Sequence, residues 1–214
     1  MDLIASVLHL DRAAVRELKI NSPYALHQAV YSLFPDIRSA QEKKTSTPSG
    51  FLYADLGGDY KSRKILLLSN RSPAEQVEGQ YGEVQSKNVP AEFLQYDAYQ
   101  FRVIVNPTWR DSASRKLIPV KGRQAISEWF IERAQNSWGF DVIHSKLQIN
   151  SIEVLNFKGK SQRNITLAQA HVQGSLIVSD RTQFIKSFRE GVGRGRAFGC
   201  GLLQIAPLIE SLYE

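Results

Sequence analysis

The stretch Tyr24-Ala-Leu-His-Gln-Ala-Val-Tyr31 holds the side chains best placed for chemistry. Tyr24, His27 and Tyr31 stand at i, i+3 and i+7. On a helix, at 100° per residue, they fall within about 60° of one another. Leu26, Ala29, Val30 and Leu33 form a separate apolar stripe. Two phenols and an imidazole thus share a face that a core does not require. An imidazole gives or takes a proton near neutral pH. A tyrosine one turn earlier orients a phosphate or nucleophile, or stacks on a base. The competing reading is an exposed face of amphipathic side chains. His9 and His171 lie in strand-like runs and read as structural, and His144 stands alone. No His pair at i, i+2 or i, i+4 is present, and the chain has one cysteine, Cys200, so neither a metal site nor a cofactor is expected.

A second feature is the C-terminal run GVGRGRAFGCGLLQIAPL, where Gly191, Gly193, Gly195, Gly199 and Gly201 alternate with Arg194 and Arg196. A dinucleotide-binding loop needs G-x-G-x-x-G between a strand and the helix whose N-terminus faces the pyrophosphate. Here the spacing differs and the order reads helix, loop, strand, so a nucleotide cofactor is disfavoured. Gly191 reads as a helix C-terminal residue, and Gly199 and Gly201 as sites of close packing in the last strand. The Gly-Arg-Gly-Arg core remains: a permissive backbone with cations that suits a sugar–phosphate chain.

The 214 residues carry 27 Lys and Arg against 21 Asp and Glu, a net charge of +6. Lys and Arg cluster at Arg110–Arg123 (with Arg115 and Lys116), at Lys158, Lys160 and Arg163, and between Arg181 and Arg196. Such clustering points to a polyanion, or to a solvated basic surface. RNA carries its own nucleophile, the 2′-OH. Its cleavage by internal attack needs in-line geometry, a proton carrier and positive charge, which one His, a Tyr and some Arg or Lys can supply. No carboxylate cluster for two metal ions is evident. No apolar run is long enough for a membrane span, and no signal peptide is evident, so a cytoplasmic protein is expected.

Pattern reading places these groups on a β-α-β-β-(α?)-β order in the first half. Strands are expected at DLIASVLHL, GFLYADL, RKILLLSN and YDAYQFRVIVNP, and a helix at PYALHQAVYSLF with Ser22 as its cap; SPAEQVEGQYG is undecided. The second half reads as a helix near 123–139, strands around a basic turn KGKSQRN, a helix from Asp180 to about Glu190 and a last strand at CGLLQIAP. This order predicts an α+β protein of two tandem ferredoxin-like (RRM-like) domains. Residues 1–107 form the first, 108–122 a basic connector and 123–214 the second.

YALHQAVYSLFP, FRVIVNP and GVGRGRAFGCGLLQIAPL, in this order, resemble the CasE family, the CRISPR RNA-processing endoribonuclease of type I-E Cascade. The similarity runs from the first strand to Leu208. It implies tandem ferredoxin-like domains and metal-independent cleavage of the repeat hairpin in precursor CRISPR RNA, leaving a 2′,3′-cyclic phosphate or 3′-phosphate. It implies His27 as general acid/base, Tyr24 beside it, and Arg196 on the RNA. The basic hairpin of Lys158, Lys160 and Arg163 matches an element that grips the RNA stem. Arg194, Arg102, Arg115 and Lys116 complete the expected RNA-binding set. Tyr31 falls where the family is aromatic but not always Tyr, and Arg194 is a cation its loop does not always have. The implied partners are the repeat hairpin, retained as part of the guide RNA, and other Cascade subunits, with target DNA reached only through the complex and no membrane. A catalytically inactive hairpin-binding subunit is the runner-up, and a protein-binding double module the third reading.

Overall fold

The computed structural model describes residues 3–35, 49–59 and 62–208. The apolar opening run is strand β1 (Leu3–Asp11), with Leu8 and Leu10 fully buried. Asp11 ends it and caps a short helix that hydrophobic periodicity did not reveal, α1 (Arg12–Glu17); its carboxylate accepts from the Ala14 N–H at 2.7 Å. Helix α2 (Pro23–Ser32) starts where the Ser-Pro pair predicts. Ser22 Oγ accepts from the Ala25 N–H at 3.2 Å and Pro23 needs no such partner. Strands β2 (Phe51–Gly58) and β3 (Ser62–Ser69) follow as an antiparallel pair. The undecided segment 72–82 is not a helix; it holds one isolated bridge, Val77 to Tyr81.

Strand β4 (Glu83–Val89) completes the first sheet in the order β2-β3-β1-β4, every neighbour antiparallel. This is the ferredoxin-like order. Leu26, Val30 and Leu33 from the helix side pack with Leu8, Leu10, Ile65 and Leu67 of the sheet. Each such fully buried aliphatic side chain contributes about 1.5–3 kcal/mol.

The run expected as the fourth strand of this sheet, β5 (Ala98–Val105), belongs to the second one. Its alternation is as the sequence predicts on one face: Tyr99, Phe101, Val103 and Val105 are buried. The polar β4 takes the place that β5 was expected to fill. As an exposed edge strand, β4 has no apolar alternation to betray it. The expected boundary after residue 107 therefore moves to the Val89–Pro90 junction.

The segment read as a connector is a small hairpin, β6 (Thr108–Arg110) paired with β7 (Leu117–Pro119). Helix α3 (Arg123–Arg133) continues through a wide turn to Trp138 and stops at Gly139, whose left-handed φ of 78° closes it. After β8 (Phe140–Val142), β9 (Gln148–Lys158) and β10 (Asn164–Val178) form a long hairpin. Asp180 caps α4 (Arg181–Glu190), and β11 (Gln204–Pro207) ends the described chain. The second sheet runs β11-β5-β10-β8, with β9 on β10. Taken in chain order within its own half, this repeats the order of the first sheet.

The chain divides into two compact units. One contains the residues through Val89 with Phe157–Asn164 and Arg196–Gly199; the other contains Pro90–Asn156, Ile165–Gly195 and the residues from Cys200 on. The tip of the β9–β10 hairpin and four residues of the glycine run thus group with the first unit. No helix among the described residues is long and apolar enough to cross a membrane.

Candidate active site

The face of α2 that carries Tyr24, His27 and Tyr31 is not left to solvent, and Tyr31 packs onto Phe51 of the core at 4.7 Å. His27 Nδ1 lies 2.7 Å from the carbonyl oxygen of Ala197, 170 residues away in sequence. A carbonyl oxygen only accepts, so Nδ1 carries the hydrogen, and the neutral ring holds its lone pair on Nε2. Phe198 packs against the same ring at 5.7 Å between centroids. Tyr31 stands at 4.0 Å and Tyr24 at 5.9 Å, nearly parallel to the imidazole. All three α2 side chains are half-buried. Burial pushes the His27 pKa below the usual 6.5, and the bond to Ala197 partly offsets that. At neutral pH the imidazole is therefore mainly uncharged.

The Ala197 carbonyl sits in a short turn, Arg196–Phe198, closed from Gly199 N–H to Arg196 O at 3.4 Å. Tyr53, on β2 and 1% exposed, donates its hydroxyl to the same carbonyl at 2.7 Å. Gly199 has φ of 80°, and a Cβ there would come to 3.2 Å from the Tyr53 ring. A left-handed backbone pressed on an aromatic ring favours glycine on both counts. Phe198 also meets Phe157 at 4.9 Å, edge to face. Phe157 opens the basic hairpin, whose tip is held by Gly159 N–H to Arg163 O at 2.8 Å. Lys158, Lys160 and Arg163 are exposed on it, and Arg196 is exposed on the turn. His27, Tyr24, Arg196 and the three hairpin cations thus belong to one unit, linked by the ring contacts of His27, Phe198 and Phe157.

Other expected residues belong to the second unit. Arg194 is exposed in the loop and bridges Asn106 through the backbone. Arg115 and Lys116 are exposed in the turn between β6 and β7, where Arg110 donates to the Arg115 carbonyl at 2.7 Å. Arg102 lies on β5 between Gln204 of β11 and Gln173 of β10 in register, on an open polar groove of about 450 Å³. Cys200 is buried against Gln169 and its thiol is pushed up to about 12, which leaves it unreactive. Among the described residues no three His, Cys, Asp or Glu side chains gather as a cation site.

Sequence reasoning missed Tyr53, Phe157 and Phe198. Their apolar strand and loop context reads as core, and nothing in one sequence ties Tyr53 to Ala197. The glycine spacing was the available signal that the backbone there approaches something closely.

Fold and site together define a double ferredoxin-like protein whose histidine is seated beneath a glycine-rich turn with a basic hairpin beside it. The chain belongs to the family described as CRISPR associated protein, whose model matches residues 3–207. It is 32% identical to the CRISPR-associated endoribonuclease Cse3 of Thermus thermophilus over 117 residues, half of this chain and 55% of that one. It is 22% identical to the Cascade subunit CasE of Escherichia coli over 94% of this chain and all of the other. A solved structure of the endoribonuclease Cse3 bound to a 19 nt RNA superposes with a TM-score of 0.79, covering 97% of this chain and 100% of that one at 23% identity. At that identity the superposition speaks for the fold.

Proposed function

We propose that this chain is an endoribonuclease that cleaves the repeat hairpin of precursor CRISPR RNA, and that it then stays on the hairpin as a subunit of a Cascade assembly. The observation that carries the mechanism is the bond from His27 Nδ1 to Ala197, which leaves Nε2 as the nitrogen that exchanges protons. In the proposed reaction Nε2 takes the proton of a ribose 2′-OH as the 2′-oxygen attacks the adjacent phosphorus. The P–O5′ bond breaks, the 5′-oxygen receives a proton from the imidazolium or from water, and a 2′,3′-cyclic phosphate remains. Tyr24, one turn before His27, orients the phosphate. Arg196, Lys158, Lys160 and Arg163 hold the RNA backbone, with Arg194, Arg102, Arg115 and Lys116 as contacts from the second unit. The relatives' names support the substrate class, since one is a CRISPR-associated endoribonuclease and the other a Cascade subunit.

The test is the His27→Ala variant with cognate repeat RNA. Loss of cleavage with retained binding is expected, and full cleavage would remove His27 from the mechanism. Activity that persists in EDTA supports a reaction without metal ions. A 2′-deoxy substitution upstream of the scissile phosphate should stop it. Binding without cleavage by the unmodified chain would favour the inactive hairpin-binding subunit.

A further inference from the structure

We propose that Tyr53 is a positioning residue for the His27 imidazole, acting through the Ala197 carbonyl that both groups share. The inference rests on the catalytic reading of His27 given above.

The Tyr53 ring is 1% exposed, in the middle of β2, with its hydroxyl on the Ala197 oxygen 144 positions away. Core packing alone is met by a phenylalanine. A buried hydroxyl is costly unless it finds a partner. Here the partner is the one oxygen that also fixes the histidine, at the same 2.7 Å. A carbonyl oxygen has two lone pairs, and these two donors occupy both. The oxygen is therefore pinned from two elements of the first unit, α2 and β2, and the ring it orients cannot turn without breaking a bond.

The shared acceptor also has an electronic consequence. Two donors on one oxygen compete, since each draws electron density that the other needs. An imidazolium N–H is a stronger donor than a neutral one and gains more from an uncontested carbonyl. Sharing the oxygen with Tyr53 thus favours the neutral ring, in the same direction as burial of His27. Among the described residues, the titratable and charged groups on the elements packed against the ring are Tyr24 and Tyr31 from α2, Tyr53 from β2 and Arg196 in the turn. Asp55, further along β2, is engaged by Arg63.

The experiment is Tyr53→Phe, which removes one oxygen and keeps the ring. His27 is titrated by NMR in the protein without RNA, and single-turnover cleavage of repeat hairpin RNA is followed against pH. The His27 midpoint should move upward by about half a pH unit, the share of one neutral hydrogen bond. The acidic limb of the rate profile should move with it, while RNA affinity stays as in the unmodified protein. If Tyr53→Phe does not fold, 3-fluorotyrosine placed at position 53 gives a stronger donor, and the His27 midpoint should move downward. A His27 midpoint unchanged in the variant that folds overturns the proposal. The NMR arm needs no cleavage, so a chain that does not cut RNA sinks the catalytic reading while the titration still decides the role of Tyr53.

Discussion

Helices α2 and α3 occupy the same place in their sheets, each on the crossover from the first strand to the second. Both bury an apolar stripe, Leu26, Ala29 and Val30 in one and Ile126 and Phe130 in the other. They differ in what lies on the opposite face. On α3 that face holds a solvated pair, Gln124 donating to Glu128 at 3.0 Å. On α2 it holds His27, roofed by a turn from the far end of the sequence. Topology alone does not make a site. A second layer, brought by four residues around Ala197, covers an imidazole and fixes its tautomer, and burial lowers the pKa of that ring.

Substitutions on α2 and its roof should therefore cost far more than changes on the second unit. The largest expected effect belongs to His27→Ala, where loss of the proposed general acid/base should lower single-turnover cleavage by about 10²–10⁴-fold with little change in RNA affinity. Gly199→Ala comes next. A Cβ at positive φ against Tyr53 should lower stability by about 1–2 kcal/mol in urea unfolding and also slow cleavage, because it shifts the carbonyl that holds His27. Equal activity of Gly199→Ala and the unmodified chain would argue that the roof is only packing. Arg196→Ala should weaken binding and make the salt dependence of affinity shallower by about 0.7–0.9 in slope. Arg102→Ala, on the second sheet, should change affinity less. A loss equal to that of Arg196→Ala would erase the contrast between the two units.

The smallest effect is thermodynamic. With the folded His27 pKa below its unfolded value, the unfolded chain takes up the proton first as pH falls. Stability from this residue is thus lost on acidification below about 6.5. The urea midpoint should drop between pH 7.5 and 5.5, and His27→Asn should reduce that drop. The cleavage rate should rise with pH through a midpoint below 6.5 and then level off, the sign expected when the neutral ring is the acceptor.

Much of the architecture was legible. Ser22-Pro23 announces a helix start because a hydroxyl and an N–H-free residue suit its first turn. The alternation through residues 99–105 announces a half-buried strand. The edge strand β4 and the short helix α1 were not legible, since neither buries a periodic face. The assignment of β5 to a sheet was not legible either, because alternation specifies a buried face but not which neighbours pair with it.

The candidate site divides along the same line. By itself the sequence determined that Tyr24, His27 and Tyr31 share one helical face, that the cations cluster, and that the glycine run could not be a dinucleotide loop. Those are consequences of helical periodicity, side-chain chemistry and element order, all local. Only the tertiary structure decided that Ala197 and Tyr53 close on His27, which nitrogen keeps the proton, and that Arg196 and the 158–163 hairpin belong with the first unit. These depend on contacts 144 and 170 residues apart, made by a backbone carbonyl that no side-chain pattern marks.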